Sequence, residues 1–426
     1  MGLGGVLMNK IRRYLKEKLL CNLEGNAYAC IIFEPMWAIF GGMIFFYQPL
    51  YMKSLGVNEL QMGLINSIGA ALMILTSFVA GPITDKYGRR KTTLIFDLIS
   101  WSLVMFIWAI SQNFWFFLVA ALLNSLHKIS YTSWTCLAIE DTPEDKRIYF
   151  FSLIMIINLA SGIFAPFAGI LVNRFGITLA MRLIYFLGFI SMTLMFVGRN
   201  KMTTETRIGM ELIKKHNNLS LSEKITDYKE AMVYFFTNKL TFLVFLIMLF
   251  TYLQNSFLFY QSIYLKDIIG IKESLTSLVP GLSAIVYLIV YFLFMKYLTQ
   301  KGEASSLSLG LLLNGLGILI FLLVKPKNYL LLAFSTILTA SGNIITITFR
   351  ETLWSNVIGE EERAKIFAAG QGLISLFSVP AGCFAGWLYK INPALPFLMS
   401  LIFYLASYGI SVVVKNIKDY KPSKRS

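Results

Sequence analysis

The sequence predicts an all-α integral membrane fold, with twelve transmembrane helices arranged as two six-helix bundles related by a pseudo-twofold repeat. Three observations predict it. Of 426 residues, 56% are apolar and 14% are charged, against roughly 45–50% and about 25% in soluble domains, and the mean hydropathy is +0.65. Apolar runs long enough to cross a bilayer, about 20 residues each, fall in two sets of six around a charged stretch. The two sets carry matching loops half a chain apart. This composition excludes a soluble enzyme, a disordered chain and a transmembrane barrel, whose strands alternate rather than run apolar.

Residues 1–26 read as a basic amphipathic lead-in with Lys10, Arg12, Arg13, Lys16 and Lys18. Polar residues follow before the first long apolar run, so no cleaved signal peptide is expected. Residues 27–197 hold the first six-helix bundle, with spans near 27–51, 61–83, 92–111, 113–139, 149–172 and 178–197. Residues 198–238 form a charged linker. Residues 239–414 hold the second bundle, with spans near 240–264, 274–298, 305–324, 329–357, 364–389 and 395–414. Residues 415–426 form a basic tail.

The net charge of +15 would point to nucleic acid in a soluble protein, but the position of the charge decides otherwise. With the N-terminus inside, 28 of the 38 basic residues flank the inner ends of the spans and 8 the outer ends. Lys128 and Arg350 lie within spans. The excess is the positive-inside signal of a multi-pass cell-membrane protein with both termini and the linker in the cytoplasm. Nucleic acid is not an expected partner; the bilayer and a small-molecule substrate are. Cys21, Cys30, Cys136 and Cys383 form no C-x-x-C pair, and only His127 and His216 supply imidazole, so neither a disulfide framework nor a metal site is expected.

The halves resemble each other in sequence. CLAIEDTPEDKRIYFF surrounds Arg147 and LWSNVIGEEERAKIFA surrounds Arg363, 216 positions apart, as are Phe151 and Phe367. A parallel six-helix repeat is a transporter signature. Between spans 2 and 3 the chain reads GPITDKYGRRK, residues 81–91. This resembles the loop signature of the major facilitator superfamily, G-x-x-x-D-x-x-G-R-[KR]-[KR], at Gly81, Asp85, Gly88, Arg89, Arg90 and Lys91. Physically, Gly81 would let two helices approach closely and Gly88 would permit a tight turn. Asp85 would meet a cation or a helix N-terminus. The resemblance implies that Asp85 and Arg89 join an acid after span 4, Glu140 or Asp141, in a cytoplasmic network. Such a network would latch the two halves together when the transporter faces outward.

An ionisable residue within a span is costly and is a functional-site candidate by default. By the resemblance, spans 1, 4, 7 and 10 line the central cavity. Span 1 holds Glu34 before Pro35, where a kink is expected; Glu34 is the candidate for proton coupling. Span 4 carries Asn124, Lys128, Tyr131 and Thr135 at one helical face, and Lys128 is a candidate partner for Glu34. Span 7 offers Gln254 and Gln261, and span 10 offers Asn343 and Arg350. These residues are the substrate-cavity candidates. Asp97 in span 3 is expected to pair structurally with Arg90 or a neighbouring helix. Span 5 holds Ala165-Pro166-Phe167-Ala168-Gly169, a partial match to the proline and glycine element of superfamily exporters.

The expected function is secondary active transport of a small solute by alternating access, driven by the proton gradient, with no cofactor and with the monomer as the working unit. Export of an amphiphilic or drug-like compound is favoured over a uniporter or symporter for a polar or anionic metabolite. An integral-membrane enzyme or another membrane protein that does not transport is the remote alternative. The acid-rich EDTPED run at 140–145 ends a span and aligns with the loop before Arg363, so it reads as a loop signature rather than a catalytic one. No P-loop is present to drive a pump.

Overall fold

The computed structural model describes residues 23–215, 237–357 and 363–417, with the side chains of 215 and 363–369 excepted. Most of the basic lead-in, part of the linker and most of the tail lie outside the described residues. Among the described residues, ten helices are long and apolar enough to cross a membrane. One of them, Glu144–Met202, holds two spans. The broken pair Phe114–Asn124 and His127–Ile139 supplies another. The architecture is therefore the expected twelve-helix one.

Each half opens in the same way. Span 1 is a 20-residue helix, Gly25–Ile44, followed after a short turn by the seven-residue helix Gln48–Ser54. Span 7 repeats this as Lys239–Leu258 and Gln261–Asp267. The break does not fall at Pro35, which sits inside an uninterrupted helix. It falls after Ile44, where Pro49 opens the next helix. At a helix start the missing N–H of proline leaves no bond unmade.

Span 2 (Glu59–Tyr87) starts on a reciprocal cap. Gln61 N–H donates to Asn58 Oδ1 at 2.9 Å and Asn58 N–H to Gln61 Oε1 at 3.0 Å. Span 3 (Arg89–Ile110) widens into a π turn over Leu98–Leu103. Spans 5 and 6 meet at Gly176, whose φ of 74° and ψ of 162° are open to glycine alone. The contacts with span 1 show that the chain reverses there. A Cβ on Gly169 would lie 3.2 Å from the Tyr47 hydroxyl, one on Gly188 3.5 Å from Phe40, and one on Gly198 2.7 Å from Phe33. Before Gly176 the contacts climb span 1, from Ser161 against Gly42 to Gly169 against Tyr47, and after it they descend through Phe40 to Phe33.

Spans 8 to 12 are Leu278–Gln300, Glu303–Leu322, Tyr329–Val357, Arg363–Ile391 and Leu395–Asn416. Spans 9 and 10 pack through small residues. Cβ atoms on Gly310 and Gly342 would lie 2.8 Å from Thr346 Oγ1 and 2.7 Å from Asn314 N. Close backbone approach of this kind replaces the hydrophobic drive that lipid removes.

The two halves are bonded to each other away from the end that carries the 81–91 loop, here termed the motif end. Tyr47 donates its hydroxyl to Glu273 O at 2.9 Å, and Tyr260 donates to Glu59 O at 3.0 Å. Lys53 Nζ pairs with Asp267 at 2.7 Å. Deeper in, Cys383 N–H donates to Ser67 Oγ at 2.8 Å, where spans 2 and 11 cross through Gly63 and Gly382. Pro166 packs on Gly281 of span 8; a Cβ there would lie 2.9 Å from the proline ring. The proline and glycine element of span 5 is thus part of the seam between the halves.

Candidate functional site

Charge and polarity inside the bundle collect in three places. The first is a cavity of about 430 Å³ between the halves. The first half contributes Gln48, Asn66, Asn124 and Lys128, and the second contributes Tyr252 and Gln371. Lys128 brings the cation to this wall, its Nζ 5.7 Å from the Tyr131 ring centre. Asn124 spends its amide on Ser100 O, at 2.9 Å, so it positions span 4 against span 3 as well as lining the cavity.

The second is a pocket of about 440 Å³ within the C-terminal half, lined by Gln254, Asn255, Tyr287, Asn343, Arg350 and Tyr404 among others. Arg350 is 6% exposed. It donates to Thr251 Oγ1 and to Glu351 Oε1, each at 2.8 Å, and its guanidinium lies 4.4 Å from the Tyr252 ring centre. It therefore faces the bundle interior rather than reaching to the headgroups. Gln254 is 2% exposed, and its Nε2 has no hydrogen-bond partner among the described residues. Gln261 does not share this wall. The break after Leu258 carries it onto the helix Gln261–Asp267, and it lines none of the cavities described here.

The third is a pocket of about 250 Å³ within the N-terminal half, lined by Glu34, Asp97, Arg199, Trp37, Trp101 and Tyr131 among others. Asp97 is ion-paired to Arg199 of span 6, not to Arg90. Hydropathy places Arg199 in the linker, yet the helix of span 6 runs on to Met202 and buries it. Glu34 makes no hydrogen bond or ion pair among the described residues. Lys128 is not its partner, because Lys128 lines the cavity between the halves. The expected span-4 stripe is shared between two cavities: Asn124 and Lys128, on either side of the break at Ser125–Leu126, face the central cavity, and Tyr131 faces this pocket.

At the motif end the expected network is present in part. Arg89 is 3% exposed and pairs with Asp85 at 3.0 Å. Its Nε and Nη2 both reach Glu140, at 3.0 Å each to Oε1. Asp141 stands apart, accepting among the described residues only from Arg207 N–H at 3.5 Å. Asp85 does not meet the helix N-terminus of span 3. Glu205, a linker residue that the motif does not include, takes that place, accepting from Arg89 N–H and Arg90 N–H. Arg90 itself donates to Asn200 O at 2.8 and 3.0 Å. Gly81 has nothing within 4 Å of where a Cβ would stand, so close helix approach is not its role. Gly88 turns with φ of 85°, and a Cβ there would lie 2.6 Å from Glu205. In this arrangement the network ties spans 2, 3 and 4 to the start of the linker.

Known proteins are similar along most of the chain. The uncharacterised MFS-type transporter YqjV of Bacillus subtilis (strain 168) is 27% identical over 287 residues, which are 65% of this chain and 65% of that protein. Multidrug resistance protein 2 of the same organism is 22% identical over 386 residues, 89% of this chain and 92% of that protein. Among solved structures, a point mutant of the nucleoside transporter NupG superposes with a TM-score of 0.70 at 15% identity, covering 92% of this chain and 99% of that one. An inward-facing, unoccupied bacterial homologue of the human lysosomal transporter Spinster gives 0.66 at 14% identity, covering 91% and 96%. Residues 36–369 match the Major Facilitator Superfamily. With the twelve-span fold and the 81–91 loop, this match establishes that the chain is a multi-pass membrane transporter belonging to the major facilitator superfamily.

Proposed function

We propose that this transporter exports a small amphiphilic solute from the cytoplasm in exchange for protons, by alternating access. The observation that carries the reading is Glu34, an unpaired carboxylate within a span that borders an aromatic pocket. A carboxylate without a fixed partner is free to gain and lose a proton as the pocket changes its exposure. The bonds between the halves away from the motif end describe one of the two access states, closed at that end. Opening it requires breaking the Lys53–Asp267 and Tyr47–Glu273 contacts. The Arg89 network is then free to engage the second half at the motif end. The bias of basic residues supports a cytoplasmic motif end and a cell-membrane location. The distant likeness to a multidrug resistance protein supports export.

A second reading, carriage of a polar or anionic metabolite, is favoured by Lys128 and Arg350, which bring cations to the central cavity and to the C-terminal pocket. One experiment separates the two. Proteoliposomes with an imposed pH gradient are challenged with a panel of organic cations, organic anions and neutral polar solutes. The first reading expects one class of amphiphile to collapse the gradient, with the effect lost in Glu34→Gln. Transport that ignores the gradient and survives Glu34→Gln overturns proton coupling through Glu34, and response to anions alone selects the second reading.

A further inference from the structure

We propose that the pocket in the N-terminal half is a binding site for a small organic monocation, an alkylated ammonium bearing an apolar group. The inference deepens the reading above by naming a substrate class, and it rests on that reading only for the claim that the bound cation is cargo.

Charge and surface chemistry point the same way. Glu34 and Asp97 bring two carboxylates to the pocket and Arg199 brings one guanidinium. Arg199 is committed to Asp97. Two carboxylates against one guanidinium leave the pocket one negative charge in excess, and Glu34 is the carboxylate with no ion pair among the described residues. The walls beside it are aromatic. Trp37 and Trp101 meet edge to face with ring centres 6.1 Å apart, Trp101 meets His127 at 5.8 Å, and Tyr131 meets Trp134 at 6.1 Å. Spans 1, 3 and 4 each supply at least one of these rings. Aromatic faces present negative potential, and cages of them select quaternary and alkylated ammonium groups. A bare metal cation would instead need a shell of about six oxygen ligands, which rings do not give. An anion would meet both the rings and Glu34.

A competing charge stands close by. Tyr131 is 54% exposed and lines this pocket, and Lys128, which lines the central cavity, stands 5.7 Å from the centre of its ring. Lys128 is a fixed positive charge next to the site. It weakens cation binding, and removing its charge strengthens it.

The test uses the full-length purified protein in detergent, with benzyltrimethylammonium as the probe. Binding is read by calorimetry and by quenching of tryptophan fluorescence. Benzenesulfonate and N,N-dimethylbenzamide serve as anionic and neutral counterparts. The cation is expected to bind at least about tenfold more tightly than either counterpart, a difference of about 1.4 kcal/mol. Glu34→Gln should lose at least about tenfold. Trp101→Leu should weaken binding severalfold while Trp101→Phe keeps most of it, and Lys128→Gln should tighten it. Equal binding of the three probes overturns the proposal, as does unchanged cation binding in both Glu34→Gln and Trp101→Leu. Where Glu34→Gln does not fold, the Trp101 pair decides. Selective binding without proton exchange in liposomes keeps the site and removes the antiport reading; proton exchange driven by another solute class, without selective cation binding, does the reverse.

Discussion

Glu205 holds the start of span 3 through the backbone of Arg89, whose N–H donates to the Glu205 carboxylate at 2.9 Å, with the Arg90 N–H donating to it at 3.0 Å. The first N–H groups of a helix have no partner within it, and a carboxylate there also meets the positive end of the helix dipole. A residue from the linker therefore completes the motif loop.

Removing this carboxylate should loosen the loop without disturbing the spans. Glu205→Ala is expected to cost about 0.5–2 kcal/mol, the usual range for losing a helix-start acceptor. Glu205→Gln, which keeps an acceptor oxygen but not the charge, should cost less. Thermal unfolding of the purified protein in detergent measures both. Equal stability of Glu205→Ala and wild type would show that water replaces the carboxylate at no cost.

The Asp97–Arg199 pair should be stabilising only as a pair. Both residues are almost fully buried, at 6% and 3% exposed. Losing one partner leaves an uncompensated charge, worth about 3–5 kcal/mol, whereas replacing both with apolar or neutral groups is often tolerated. Asp97→Asn and Arg199→Met are each expected to lower the melting temperature sharply. The double variant should recover most of the loss. Additive loss in the double variant would mean that each residue serves a separate partner.

The spans, the repeat and the motif were legible in the sequence because each rests on local chemistry: apolar length, turn residues and charge placement. The site was legible residue by residue but not in its grouping. Glu34 and Lys128 are both ionisable residues in cavity-lining spans, so sequence reasoning pairs them. Lys128 follows the break at Ser125–Leu126 and lines the cavity between the halves, whereas Glu34 shares its pocket with Arg199, on the extension of span 6. Neither feature has a strong signal. Ser125–Leu126 lacks proline and glycine, and the apolar run of span 6 ends before Arg199. Buried polar contacts such as Arg199–Asp97 join residues 102 positions apart, a pairing that hydropathy does not encode. Glu205 escapes notice because it lies in a charged linker, where an acid carries no signal of its own.

Lys53 bridges the halves at the end away from the motif, bonding to both Glu59 and Asp267 at 2.7 Å. Burial alone would lower the pKa of its ammonium, but the hydrogen bonds and charges of Asp267 and Glu59 raise it above the ordinary lysine value. A raised folded-state pKa means that the stabilisation is complete below about pH 10.4, the unfolded value, and is lost as pH rises through the folded one. Titration of Lys53 should therefore leave closure at this end unchanged across pH 6–9, with salt a stronger lever than pH. Lys53→Met should favour opening of this end by up to about 1 kcal/mol, the range for a partly exposed pair. Distance measurements between spin labels on Asn58 and Lys272, recorded against pH and ionic strength, check this.

Gly382 sets how tightly the halves close. A Cβ at this position would stand 2.8 Å from Gly63 O, 2.8 Å from Ser67 Oγ and 3.0 Å from Ser67 N. Two of those three atoms are backbone, so rotating a side chain does not relieve the contact, and spans 2 and 11 must separate. Gly382→Val is therefore expected to shift the resting protein toward opening at the end away from the motif, and to slow transport because the closed state there is visited less often. Ser375→Cys lines the cavity between the halves and reports which end is open. In a chain with the four native cysteines replaced by alanine, a membrane-impermeant maleimide should label Ser375→Cys from the motif side. Adding Gly382→Val should transfer reactivity to the opposite side. Labelling that stays on the motif side would show that the close crossing of spans 2 and 11 is packing alone, with no bearing on the balance between access states.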